Sequence, residues 1–162
     1  MIGCLRSIAA RIRRYYKRTR EHNERTRPMK TFALDTNIVS NLLKNSELAY
    51  SMVEEETDRG NIFIIPPIVY YEVKRGLLAV NAVNQQKLFD TLCRKLPIGS
   101  MALAEWDTAS KIYADLRVQG TPIEDADIFI AAFCIAGNYT LITGNIKHFN
   151  RVVGLKLLSW EF

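Results

Sequence analysis

The sequence is poor in cysteine and histidine, which limits the metal and disulfide chemistry available to it. Its 162 residues include three cysteines and two histidines. Cys4, Cys93 and Cys134 are odd in number, far apart and without a CxxC pair, so neither a disulfide framework nor a zinc site is expected. This cysteine usage favours a reducing, cytoplasmic compartment.

The sequence also lacks a long apolar run. The longest candidate, residues 62–69, contains two prolines and is far shorter than the roughly 18 residues that a membrane span requires. We therefore expect no association with a membrane. The chain length, with 48% hydrophobic and 24% charged residues, is typical of one globular domain that can bury a real core.

Positive charge is concentrated at the start of the chain. The formal charge is +5, but residues 1–28 hold nine lysines and arginines against two glutamates. The remainder, from Met29, has 13 basic and 15 acidic residues. A basic protein often binds nucleic acid, yet the body of this chain is slightly acidic. The basic segment therefore needs an explanation of its own.

We treat residues 1–28 as a basic extension ahead of a domain in residues 29–162. Three explanations stay open: a mis-assigned start upstream of Met29, an arm that contacts nucleic acid, and an amphipathic helix at a membrane surface. Met29 stands directly before the first predicted strand, which favours the first explanation. Nine basic residues would add salt-sensitive affinity for phosphates, whereas a membrane helix would need a wider apolar stripe. We expect a chain that starts at Met29 to fold.

From Met29 onwards, short apolar runs alternate with stretches of helical periodicity. Strands in such an alternation pair in parallel, and the intervening helices cover both faces of the sheet. The sequence thus predicts an α/β fold with a central parallel sheet flanked by helices on both faces. Strands are expected at 31–35, 62–65, 96–98, 140–143 and 155–159, and helices at 37–44, 46–60, 67–80, 82–95, 101–119 and 124–136.

Several acidic and amide side chains fall near the ends of these strands. Asp35 ends the first strand, Glu72 lies about two turns into the helix after the second, and Asn145 stands just past the 140–143 strand. Asp125 and Asp127 begin the helix before that strand. Sites in open parallel sheets form beyond the carboxyl ends of the strands. These segments are therefore expected to bring oxygen ligands to one edge.

Carboxylates gathered in this way repel one another. At about 4 Å and an effective dielectric near 20, a pair costs on the order of 4 kcal/mol, so either some are protonated or a divalent cation lies among them. Without a cysteine or histidine cluster, oxygen ligands favour Mg²⁺ or Mn²⁺ over zinc. Taken singly, the aspartates could instead cap helices or complement helix dipoles, and Glu72 could be solvated. Spacing alone does not decide between these interpretations.

Four segments, taken in order, resemble the successive motifs of the VapC branch of PIN domains. Any one motif is weak, whereas four in the family's order and spacing are specific, and the resemblance covers about Met29 to the C-terminus. It implies that Asp35, Glu72 and Asp127 are the catalytic, metal-binding acids and that Asn145 is a further metal ligand. The segments are LDTN at 34–37, YEVKRG at 71–76, PIEDADIFIAA at 122–132 and LITGNIKHF at 141–149.

The resemblance also implies an activity and its partners. It indicates an endoribonuclease that uses Mg²⁺ or Mn²⁺, cleaves RNA phosphodiester bonds with a metal-activated water and acts as the toxin of a toxin–antitoxin pair. It further implies a homodimer, held inactive by a small VapB-like antitoxin whose basic side chain enters the acidic pocket. Thr143, close to the metal, and Arg75 and Lys147, at the pocket rim, are the expected substrate contacts.

Three residues near the motifs are expected to play other roles. The family acid stands three residues before the Ile-Ala-Ala run, which selects Asp127 and leaves Asp125 as a helix cap. His148 resembles a general base, but the metal mechanism needs none, so it is expected to be structural. Relatives often carry a basic or polar residue where this chain has Gly144, so a substrate contact is expected to be missing there.

Two other functions compete with the nuclease. A non-catalytic module that binds RNA or protein would retain the fold, and Asn145 in place of a fourth acid would weaken metal binding. A phosphatase with an aspartate nucleophile after the first strand normally needs a DxD arrangement, whereas this chain has Asn37 at the second place. The persistence of Asp35, Glu72 and Asp127 favours the nuclease over both.

Overall fold

Four parallel strands form one sheet in the computed structural model, which describes residues 28–161. The strands are β1 (Thr31–Leu34), β2 (Ile62–Ile64), β3 (Thr140–Thr143) and β4 (Lys156–Ser159). Their spatial order is β2-β1-β3-β4, so β1 and β3 lie at the centre. The predicted extension, apart from Pro28, lies outside the described residues.

The sheet order creates a crevice at the carboxyl ends of the two central strands. The chain passes from β1 to β2 on one side, while β3 pairs with β1 on the other, with Phe32 aligned to both Phe63 and Thr140. In open α/β sheets, such a switch point is where ligands bind. Asp35 directly follows β1 and Gly144 directly follows β3, so both residues stand at this crevice.

Seven helices flank the sheet between residues 28 and 161, as the α/β prediction required. Ser46 begins the second helix, with its Oγ accepting the Ala49 N–H at 3.3 Å, and Pro67 occupies the first turn of the third. The helices are α1 (Thr36–Leu43), α2 (Glu47–Asp58), α3 (Pro67–Ala79), α4 (Val83–Cys93), α5 (Leu103–Val118), α6 (Asp125–Ala136) and α7 (Ile146–Phe149).

The core is built around the two central strands. Ala33, Leu34, Leu141 and Ile142 are fully buried, because parallel strands covered on both faces expose neither side to solvent. Helix α6 is buried on most of its circumference, with six of its twelve residues in the core, and packs mainly against α5. The first turn of α6 is therefore held firmly beside the end of the sheet.

The structure corrects the predicted elements at four places. Helix α1 begins at Thr36, one residue early, because Asp35 caps it. Glu124 rather than Asp125 occupies the cap position of α6, and Asp125 is its first helical residue. The predicted strand at 96–98 is reduced to one parallel bridge between Ile65 and Ile98. Helix α7 was not predicted, since four residues are too few to show a periodicity.

Between residues 28 and 161, no helix is both long enough and apolar enough to span a bilayer.

Candidate active site

Asp35 is fixed by the junction of β1 and α1. Its side-chain Oδ1 accepts the Thr36 N–H at 2.7 Å, which satisfies a free amide at the start of α1. Its own N–H donates to the Ile142 carbonyl of β3 at 3.0 Å. The residue is only 5% exposed. The same carboxylate therefore caps a helix and points into the crevice, so the two interpretations drawn from the sequence are compatible.

The second carboxylate oxygen of Asp35 ties the ends of β1 and β3 together. Asp35 Oδ2 accepts the Thr143 hydroxyl at 2.6 Å and the Asn37 side-chain amide at 2.7 Å. The Asn37 Oδ1 in turn accepts the Gly144 N–H at 3.1 Å, and the Thr143 Oγ accepts the Asn145 N–H at 2.9 Å. These bonds fix the loop after β3 relative to the acid.

Glu72 approaches the crevice from α3. Its Oε2 accepts the Thr36 hydroxyl at 2.6 Å, and its side chain is 21% exposed. Arg75, one turn later, stands 4.0 Å from the other oxygen and is 60% exposed, with its guanidinium 5.1 Å from the centre of the Tyr71 ring. Such an exposed pair contributes little to stability, which leaves Arg75 available at the rim.

Asp127 approaches from the first turn of α6. Its side chain is 20% exposed, whereas Asp125 is exposed to solvent. The Oδ2 of Asp127 lies 3.1 Å from the Nδ1 of His148, a residue of α7. His148 therefore contacts a residue of the predicted metal site. The sequence offered no signal for this contact, because the two side chains stand 21 residues apart.

The three carboxylates form a pocket that is short of positive charge. Burial raises the pKa of Asp35 above its ordinary value near 3.8, and the neighbouring charges of Asp127 and Glu72 raise it further. The hydrogen bonds from Thr143 and Thr36 act in the opposite direction without cancelling the rise. Within residues 28–161, the basic side chains within 4.0 Å of these carboxylates are Arg75 and the imidazole of His148, both at least half exposed.

The donor set of this pocket suits a hard divalent cation. Carboxylate, hydroxyl and amide oxygens are the ligands that Mg²⁺ accepts, and Mg²⁺ usually keeps several waters and binds through one or two carboxylates. Within the described residues, no group of three or more histidine, cysteine, aspartate or glutamate side chains is arranged to hold a metal ion. Glu72 accepts a hydrogen bond from Thr36, and Asp127 contacts His148. The donor chemistry fits a cation that keeps part of its water shell.

The predicted substrate contacts differ in how the structure presents them. Thr143 is fully buried and gives its hydroxyl to Asp35, which fits a positioning role better than contact with RNA. Lys147 is exposed on α7, and the Asn145 side chain faces a cavity at the crevice. Lys74, the neighbour of Arg75 in the same motif, donates to Asp90 at 2.7 Å and links α3 to α4.

Sequence reasoning left Thr36 and Asn37 out of the site. Both follow Asp35 directly in the LDTN motif, but the sequence suggested no contact for Thr36, and it used Asn37 only to argue against a phosphatase. The structure gives each a bond across the site, from the Thr36 hydroxyl to Glu72 and from the Asn37 amide to Asp35. Their position within a motif was the signal that could have identified them.

Known proteins share both this sequence pattern and this fold. The PIN domain family matches residues 32–155. Ribonuclease VapC2 of Rickettsia felis is 29% identical over 131 residues, which cover 80% of this chain and 98% of the relative. Ribonuclease VapC1 of the same organism is 34% identical over 102 residues, which cover 59% and 74%. The structure of R. felis VapBC2, bound to a DNA fragment from its promoter, has a TM-score of 0.73 at 29% identity, covering 81% of this chain and 99% of that one.

The crevice, its three acids and these relatives define the class as an RNA-cleaving hydrolase on an α/β scaffold. The chain belongs to the PIN domain family and, within it, to the VapC ribonucleases. The resemblance drawn from the four motifs is thereby confirmed. The phosphatase and the non-catalytic binding module have no support among these relatives.

The raised pKa of Asp35 predicts how the metal-free protein responds to pH. The folded state binds this proton more tightly than the unfolded state, so stability decreases as the pH rises from the ordinary value through the raised one. Asp35→Asn removes this contribution. Urea denaturation in EDTA across a pH series should therefore show the wild type losing stability relative to the variant as pH increases. A stability difference that is constant with pH would contradict the electrostatic account.

Proposed function

We propose that the chain is a Mg²⁺- or Mn²⁺-dependent endoribonuclease whose metal is held by Asp35, Glu72 and Asp127, with Asn145 as a further ligand. One observation carries the proposal: Asp35 is a buried carboxylate with a raised pKa that faces two further carboxylates. Such a group favours the approach of a cation, because a cation offsets both the desolvation and the repulsion. The VapC relatives supply the substrate class, RNA.

The chain's own residues would position the reaction. A bound divalent cation lowers the pKa of a water and stabilises charge on a phosphoryl oxygen. Thr143 and Asn37 hold Asp35 Oδ2 in one orientation, and Thr36 orients Glu72. Arg75 and Lys147, both exposed, are suited to contact the phosphates on either side of the cleaved bond. The proposal places the protein in the cytoplasm, with its RNA.

The first test of this proposal is the loss of cleavage on neutralising each acid. Asp35→Asn, Glu72→Gln and Asp127→Asn should each lower kcat/KM on RNA by roughly a hundredfold or more, the size seen when one preorganised charged group is lost from an active site. EDTA should abolish the activity, and Mg²⁺ or Mn²⁺ should restore it. RNA cleavage is measured with end-labelled oligonucleotides.

Asp125→Asn is the matched control for Asp127→Asn. Asp125 lies in the same turn of α6 and undergoes the same chemical change, but its side chain is exposed and makes no contact with the other acids in residues 28–161. Its replacement removes only a helix-dipole interaction of about 0.3–1 kcal/mol. Full activity in Asp127→Asn, or equal losses in the two variants, would refute the assignment of the acids.

The same pocket supports a small VapB-like antitoxin as the partner. A guanidinium or ammonium group inserted among three carboxylates forms charge-assisted hydrogen bonds and supplies the missing positive charge. The structure of the VapBC2 relative contains a toxin of the same fold. A homodimer is supported by α5, on which Leu103, Trp106 and Tyr113 share one exposed face at 75%, 42% and 47% accessibility.

The partner proposal predicts reversible growth arrest. Expression of the chain should stop growth in its own host, and co-expression of the protein encoded by an adjacent small open reading frame should restore it. The two proteins should purify together, with two copies of the toxin in the complex by light scattering. A monomeric protein that leaves growth unaffected would contradict both the toxin and the dimer assignments.

We also propose that residues 29–162 form the complete catalytic domain. The match to the PIN domain family begins at residue 32 and supports this boundary. Protein that starts at Met29 should therefore show cooperative thermal unfolding and keep its metal-dependent cleavage. If the basic segment is an RNA arm, KM should rise in this truncation and its salt dependence should weaken, while kcat stays unchanged. Failure of the truncated chain to fold would show that the segment belongs to the domain.

A further inference from the structure

A second cavity adjoins the acidic pocket on the side of β4. It has a volume of about 390 Å³, within the range of roughly 300–1,000 Å³ that is usual for ligand sites. None of its described lining residues is basic, so a phosphate group has no partner there. The lining residues are Asn37, Asn41, Gly144, Asn145, Trp160 and Glu161.

The cavity is rich in side-chain amides, and two of them are free. Asn37 uses its amide within the protein, on Asp35 and Gly144. Asn41 lies one helical turn later on α1, so it shares the same face. In the described chain, no hydrogen bond engages the side-chain amide of Asn41 or Asn145. Each offers one donor group and one acceptor at the cavity wall.

Gly144 lies against the wall of the cavity without room for a side chain. A Cβ at this position would stand 3.2 Å from the Trp160 carbonyl oxygen and 3.6 Å from Asn37 Oδ1, and both residues line the cavity. The first distance is shorter than an ordinary van der Waals contact, so a larger residue at this position would push against the cavity wall.

The cavity and the acids share a wall. The Asn37 amide that lines the cavity lies 2.7 Å from Asp35 Oδ2, and Asn145 follows Thr143, whose hydroxyl bonds to the same oxygen. Glu72 contacts Thr36 on the other side of Asp35. A phosphodiester held by the acids would thus have one neighbouring nucleotide directed toward α3 and the other toward the cavity.

We infer that this cavity binds the nucleobase next to the scissile phosphate and that Asn41 recognises its hydrogen-bonding edge, while Asn145 remains the proposed metal ligand. The inference rests on the proposed ribonuclease function. Bases of single-stranded RNA splay out and are recognised along their edges, and asparagine amides pair with such edges through a donor and an acceptor together. A base also lacks the negative charge that Glu161 and the nearby acids would repel.

The experiment combines a protein variant with a substrate that lacks one base. A short single-stranded oligoribonucleotide that the wild type cuts at one bond is selected from a random-sequence pool. It is then resynthesised with an abasic residue on either side of that bond. The wild type should cut one of the two abasic substrates with a kcat/KM about tenfold lower than that for the intact RNA. This is the size of the effect expected when one amide–base pair is lost. Asn41→Ala should lower kcat/KM about tenfold on the intact RNA and cause no further loss on that abasic RNA.

Two variants keep the test decisive. Gly144→Ala narrows the cavity and should likewise reduce cleavage of the intact RNA more than that of the abasic RNA, so it replaces Asn41→Ala if the latter does not fold. Asn84→Ala removes an exposed amide on α4, and should cut both substrates as the wild type does. This control measures the effect of losing an amide far from the cavity.

The outcomes separate this inference from the proposed function. If Asn41→Ala and Gly144→Ala lower kcat/KM by equal factors on intact and abasic RNA, or leave it unchanged, the cavity binds no base and the ribonuclease proposal still stands. If the wild type cuts no RNA in Mg²⁺ or Mn²⁺, the ribonuclease proposal fails and the inference fails with it.

Discussion

Burial of one carboxylate at the end of the central strand governs the organisation of the site. Asp35 loses most of its hydration, and an ion in that position is tolerated only where hydrogen bonds replace the water. Its three donors are the Thr36 N–H, the Asn37 amide and the Thr143 hydroxyl. These come from the start of α1 and the end of β3, so the pairing of β1 with β3 is also what satisfies the acid.

The hydrogen bonds to Asp35 do not offset the full cost of burying its negative charge. This remaining deficit of positive charge matters for the proposed function. The pKa of Asp35 remains raised, because burial and the charges of Glu72 and Asp127 outweigh the donors. A positive charge is therefore stabilised in the pocket whatever its source. Under the proposed function, a metal ion and a basic side chain of an antitoxin would compete for the same deficit of charge, and inhibition and catalysis would share one physical origin.

The sequence predicted the elements that local patterns encode, and it did not predict the contacts between residues that are far apart in the chain. The central strands are short apolar runs, and Ser46 and Pro67 mark helix starts, so these elements were predicted within a residue or two. The three acids were predicted from their places near strand ends together with the resemblance of the motifs, and their roles stay a prediction. The contacts of His148 with Asp127 and of Thr143 with Asp35 join residues 21 and 108 positions apart, and no local pattern encodes them. The cavity was not predicted either, because its lining residues come from three separate parts of the chain.

The distance along the chain between Asp35 and Thr143 has a consequence for synthesis. The acid leaves the ribosome first, and its hydroxyl partner follows 108 residues later, on the order of ten seconds at usual translation rates. Until β3 has paired with β1, Asp35 lacks the two groups of β3 that bond to it, the Thr143 hydroxyl and the Ile142 carbonyl. Under the proposed function, a chain whose β3 is not yet made would not cleave RNA, so the activity would arise only after the last third of the chain has been translated and folded.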